Sequence, residues 1–157
     1  MPPRPLVRGA SQDGRLLFLD NVEMSQYVVI DSQGFRPLFR HPCARVSRVL
    51  CAAWLPDGSR IVTGAADRKV RLLDAETGEP IHWREAGGHS EIVASVAGRP
   101  DGAVLASGGQ DHLILLRDVA TGALRATYHG HEHPVSSLSF SADGRFLASK
   151  IDWRQHR

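Results

Sequence analysis

Three histidines alternate in the stretch His129-Gly130-His131-Glu132-His133, and an extended backbone would carry all three on one side. Imidazoles gathered in that way could ligate a metal, with His89 and His112 as further candidates. No cysteine or carboxylate stands at a spacing that completes a known coordination set. We therefore read these histidines as structural or solvated, and assign no metal and no cofactor. Asp67, Asp74, Asp111 and Asp118 could be taken for paired catalytic carboxylates. They recur at matching places along the chain, however, as turn and cap residues do, whereas an active site would interrupt such a recurrence. No glycine-rich phosphate loop, nucleophile elbow or Cys/His pair is present, so no enzyme is expected. Cys43 and Cys51 form neither a disulfide framework nor a zinc ribbon and are expected to stay reduced.

The recurrence belongs to the whole chain. Asp-Gly falls at 13–14, 57–58, 101–102 and 143–144, at intervals of 44, 44 and 42 residues. Asp31, Asp74 and Asp118 keep nearly the same interval, as do Gly34, Gly78 and Gly122. A period of this length means one supersecondary unit copied several times. Within each copy, short apolar runs alternate with turn residues, which predicts a four-stranded antiparallel meander. The strands are expected at 6–11, 16–20, 27–30 and 35–39, then at 49–55, 60–64, 70–73 and 80–84. A third set is expected at 92–97, 103–107, 113–116 and 124–128, and the fourth unit contributes 135–140 and 146–149 only. After Ser149 the pattern stops: Lys150 stands where the third unit has Gly108.

The segment 88–122, with Gly88-His89 at its front, Leu105-Ala106-Ser107-Gly108 on its second strand and Asp111 and Asp118 in its turns, resembles a WD repeat. Residues 137–149, SLSFSADGRFLAS, resemble the same family. The likeness extends over residues 5–149 and implies an all-β fold: an incomplete β-propeller of consecutive four-stranded antiparallel blades at about 5–40, 41–87, 88–130 and 131–149, with 150–157 as a divergent tail. It further implies a buried hydrogen-bonded set in each blade, supplied here by His41, Thr63 and Asp67, by His89, Ser107 and Asp111, and by His131 and Ser149. The tryptophan of that set is replaced by Leu73 and Arg117. The Arg117 side chain could run outward along its aliphatic stem or meet a carboxylate.

Such a frame implies a non-catalytic protein-interaction scaffold. Between His41 and Asp57 lie four more residues than between His89 and Asp101, which lengthens the loop carrying Arg45 and Arg48. By the resemblance this loop shares a rim with Arg68 and His112, and protein or peptide partners of acidic character are expected there. Of 19 basic residues only Lys69 and Lys150 are lysines. This arginine bias leaves an Arg-mediated nucleic-acid or phosphate-binding module as the alternative. A net charge of +2 weighs against it, and no small-molecule ligand is indicated. No apolar stretch is long enough for a membrane helix or a signal peptide, so the setting is expected to be intracellular, in cytoplasm or nucleus. Three and a half units do not close a ring. We expect a truncated or fragmentary form, with oligomerisation or a complementing chain as the other routes, and apolar surface on the outer face of the first unit and on the exposed face of the fourth.

Overall fold

Short runs rich in valine, isoleucine and leucine, stopped by turns, give strands of two to seven residues. The structure, a computed structural model, describes residues 6–10, 16–21, 26–31, 36–42, 48–81 and 88–155, with side chains over 48–81 and 88–154. The first sheet comprises β1 (Leu6–Ala10), β2 (Leu16–Asn21), β3 (Gln26–Asp31) and β4 (Arg36–Pro42). The second comprises β5 (Val49–Trp54), β6 (Arg60–Ala65), β7 (Val70–Asp74) and β8 (Pro80–Ile81). The third comprises β9 (Val93–Gly98), β10 (Val104–Gly109), β11 (Ile114–Asp118) and β12 (Leu124–Tyr128). The fourth has β13 (Val135–Phe140) and β14 (Leu147–Ile151), followed by a 3₁₀ turn at Trp153–Gln155. Every sheet is antiparallel and runs in chain order. Among the described residues there is no α-helix, and no helix long and apolar enough to cross a membrane.

The turns repeat to the atom. In the hairpins β5–β6, β9–β10 and β13–β14, Gly58, Gly102 and Gly144 all have φ of 72°, a backbone that residues with a Cβ rarely adopt. The preceding aspartate closes each turn: Asp57, Asp101 and Asp143 accept the N–H groups of Ser59, Ala103 and Arg145 at 3.0, 2.9 and 3.0 Å. Asp74 and Asp118 do the same after β7 and β11, accepting from Glu76 and Thr77 and from Ala120 and Thr121. The Asp13-Gly14 turn lies outside the described residues.

Backbone and side-chain donors together hold the five carboxyls below the ordinary carboxylate range. The main cause is the Ser59 N–H for Asp57, the Thr77 N–H for Asp74, Arg99 for Asp101, Arg125 for Asp118 and the Ser141 hydroxyl for Asp143. A folded value below the unfolded one means the unfolded chain binds more protons near pH 4. Their stabilisation is therefore complete above about pH 5 and lost as pH falls through the folded values. Urea midpoints should drop below about pH 4, and Asp101→Asn should make that drop shallower.

Successive sheets meet face to face, with β1 beside β5, β5 beside β9 and β9 beside β13. Leu55, Val62, Val70 and Leu72 of the second sheet bury against Val93, Val96, Leu105 and Val119 of the third. Ala106 and Ile114 bury against Val135 and Leu138 of the fourth. The close approach depends on two glycines. A Cβ on Gly64 would lie 2.6 Å from Val93 Cγ1, and one on Gly108 would lie 2.5 Å from Val135 Cγ1. Beside the second of these seats the Ser95 hydroxyl accepts the Leu138 N–H at 2.9 Å.

Two expectations are corrected here. The fourth sheet does not stop at Ser149: β14 continues through Lys150 and Ile151, which pair with Ser137 and Val135. Strand pairing uses backbone groups, so loss of the glycine pattern does not end it. Nor is the free face of this sheet apolar. Residues that alternate with the buried Val135 and Leu138 are Ser137 and Ser139, and across from them stand Ala148 and Lys150, all exposed. The large exposed apolar side chains of this region are Phe146 and Trp153.

Candidate functional site

In the third sheet, His89 precedes β9, Ser107 lies in the middle of β10 and Asp111 opens the β10–β11 turn. The fold brings the three together. His89 Nε2 is 2.9 Å from Ser107 Oγ, and Nδ1 is 2.9 Å from each carboxylate oxygen of Asp111. Asp111 also accepts the N–H groups of Ser90 at 2.9 Å and Leu113 at 3.1 Å. Each ring nitrogen thus faces an oxygen, whichever of them carries the proton. Gly109 leaves room for the set, since a Cβ there would sit 2.6 Å from His89 Nδ1.

Ser107, His89 and Asp111 are connected as in a hydrolytic triad, but the surroundings differ. Ser107 is 0% exposed and the His89 side chain 1%, so no substrate can reach the hydroxyl. A groove of about 390 Å³ over the ends of β5, β9 and β13 is lined by Trp54, Pro56, Pro100 and Phe140 and contains no titratable side chain. What the buried set can do is brace a turn against a strand.

The other copies vary. Thr63 is buried on β6, and Asp67 receives both terminal nitrogens of Arg71, a partner that the repeat alignment did not reveal. His41 lies on β4 opposite Tyr27, and its side chain falls outside the described residues. In the fourth sheet His131 Nε2 meets Ser149 Oγ at 2.9 Å in an exposed setting. At the tryptophan position Leu73 and Arg117 occupy the same register, paired with Ile61 and Leu105. Arg117 does not run outward: it is 0% exposed, and its Nη1 donates to the Gly122 carbonyl at 3.1 Å. The stem fills the space of a large apolar side chain while the turn backbone takes the guanidinium.

Of the rim residues, Arg45 lies outside the described residues. The Arg48 carbonyl accepts the Ala66 N–H of the β6–β7 turn at 2.8 Å. Arg68, in that turn, donates from Nη1 to the Ser90 carbonyl at 3.3 Å, reaching the loop that leads into the third sheet. His112 occupies the corresponding place in the β10–β11 turn. Arg68 and His112 are left-handed, at φ 72° and 68°, which is uncommon for residues with long or ring side chains.

The four-stranded sheets set face to face, with a polar set buried in the third, define a repeat protein of the β-propeller type. A model of the WD domain, G-beta repeat, matches residues 83–118 and 122–149, and a model of the anaphase-promoting complex subunit 4 WD40 domain matches residues 26–90. The chain belongs to the WD-repeat family. It is 30% identical over 155 residues, 98% of its length, to the WD repeat-containing protein WDS homolog of Arabidopsis thaliana. It spans 29% of the length of that relative. Protein binding is typical of the family.

Proposed function

We propose that the chain is a non-catalytic interaction scaffold, and that the rim carrying Arg48, Arg68 and His112, together with Arg45, takes an acidic peptide or protein surface. One observation carries the reading: two bulky side chains are held left-handed at corresponding turns of consecutive sheets. Each such residue costs roughly 1–2 kcal/mol that glycine would avoid, and strain of this kind concentrates where side chains must be presented. Arg68 is exposed beside Ser90, so the strained turn and the neighbouring loop form one surface.

The test is retention of an aspartate- and glutamate-rich peptide library by the chain and by its variants. Reversing Arg45, Arg48 and Arg68 to glutamate should abolish retention. His112→Gly should raise the unfolding temperature, by about 1 kcal/mol of stability, while weakening retention. Unchanged retention after charge reversal would remove the rim from consideration. Stronger, steeply salt-dependent retention on single-stranded RNA would favour the nucleic-acid reading.

A further inference from the structure

Arg60, Arg71, Arg99 and Arg125 each meet an aspartate of their own hairpin, Asp57, Asp67, Asp101 and Asp118 in turn. Arg68 is placed differently. It is exposed, and its Nη1 donates to an uncharged acceptor, the Ser90 carbonyl, at 3.3 Å. Among the described residues no carboxylate meets this guanidinium.

The carbonyl takes one corner of the guanidinium and leaves the opposite edge whole. That edge carries Nε–H and Nη2–H, and two N–H groups on a rigid planar fork match the two oxygens of a carboxylate. Neither nitrogen donates to another group among the described residues. The side chain is also held at both ends. Its backbone is left-handed, at φ 72°, and the Arg68 N–H donates to the Ala65 carbonyl at 3.2 Å, while the Ser90 carbonyl fixes the far end. A cation already held in place loses less freedom on meeting its ligand. Lys69, next along the turn, is exposed as well but offers only a point charge on a flexible stem. The neighbouring acids decide between anions. Asp67 precedes Arg68, Glu91 follows Ser90, and Asp111 accepts the Ser90 N–H at 2.9 Å. A single carboxylate can approach past these groups, whereas a phosphomonoester dianion meets like-charge repulsion.

We propose that Arg68 is the specificity-determining residue of this surface and grips a glutamate or aspartate side chain of a protein partner side-on, through Nε and Nη2. The inference rests on the rim reading above and adds to it one gripping residue and a planar ligand group.

The probe is a fluorescent oligoglutamate with both ends blocked, so that side-chain carboxylates alone are offered, followed by anisotropy with the 157-residue chain. It should bind. Arg68→Lys keeps the charge and loses the fork, and should weaken binding about fivefold, against about tenfold for Arg68→Gln. Lys69→Gln should change it by less than about twofold. A phosphoserine version of the peptide should bind no better than the glutamate one. The altered side chains are exposed, so unfolding temperatures should match the parent, which verifies folding. A second measurement needs no peptide: sodium acetate, against sodium chloride at equal ionic strength, should shift the Nε–H resonance of Arg68 in chain carrying isotope-labelled arginine. Arg68→Lys identifies that signal by its loss. If Arg68→Lys binds as the parent does while Arg68→Glu fails to bind, charge alone holds the peptide; the rim reading then stands and this inference falls. If oligoglutamate does not bind but acetate still shifts Arg68, the rim reading falls and the side-on grip remains. An Arg68 signal indifferent to acetate, a larger loss from Lys69→Gln than from Arg68→Lys, a tighter phosphoserine peptide, or a preference for single-stranded RNA would each overturn the proposal.

Discussion

Gly108→Val should lower the stability of the chain by about 3 kcal/mol and open the seam between the third and fourth sheets. A Cβ at this position would stand 2.5 Å from Val135 Cγ1 and 3.3 Å from Leu138 Cδ1. Gly108 cannot retreat, because β10 is paired on both sides, with β9 and β11. The relief must come from β13, which would draw Val135 and Leu138 away from Ala106 and Ile114 and stretch the Ser95–Leu138 hydrogen bond. Urea unfolding measures the loss, and amide exchange should accelerate in β13 before it does in β6. Trimming Val135 to alanine in a Gly108→Ala background should recover part of the deficit, a coupling that a double-mutant cycle isolates. Gly64→Val should act in the same way on the second seam through Val93. A Gly108→Val chain as stable as the parent would mean that this seam is not closed in solution.

Asp111→Ala should cost about 2–4 kcal/mol. Its carboxylate joins His89 to the N–H groups of Ser90 and Leu113, and its side chain is only 4% exposed. Removing it strands a buried ring nitrogen and frees the turn that presents His112. Ser107→Ala should cost less, about 1 kcal/mol, because it removes one hydroxyl and leaves the carboxylate arrangement whole. Asp111→Asn keeps an acceptor and should fall between the two. Thermal unfolding of the three variants gives the order. If Ser107→Ala proved the most damaging, the weight of the set would lie on the strand and not on the turn.

Much of the architecture was legible because its signals are local. Pro-Asp-Gly and Ala-Asp-Gly demand a positive φ at the glycine and a backbone donor for the aspartate, and both are met at 56–58, 100–102 and 142–144. Strand limits followed to within about two residues wherever such a turn stands beside them. The grouping of His89, Ser107 and Asp111 was implied by the resemblance of residues 88–122 to a WD repeat, and His89 stands 2.9 Å from both partners.

What escaped lies between sheets. Gly64 and Gly108 read as the ends of strands, since nothing in a linear pattern says that a valine from the next unit will press on them. Arg117 read as a side chain running outward or meeting a carboxylate; it is buried, and one of its acceptors is a turn carbonyl five residues along, visible only once the hairpin closes. Lys150 read as the point where the pattern fails, although the backbone carries the strand through it. The hydroxylated outer face was hidden for a related reason. Alternation in SSLSF shows that two faces exist and leaves open which one another sheet will cover.

Wiring by hairpins alone has a consequence for how the molecule is made. Each sheet takes its strands from one uninterrupted stretch of chain, so among the described residues no strand waits for a distant partner and loop closure stays inexpensive in entropy. During synthesis a sheet can form as soon as its own span clears the ribosome, using the preceding sheet as a template for its buried face. Damage to one sheet should then spread no further than its immediate neighbours.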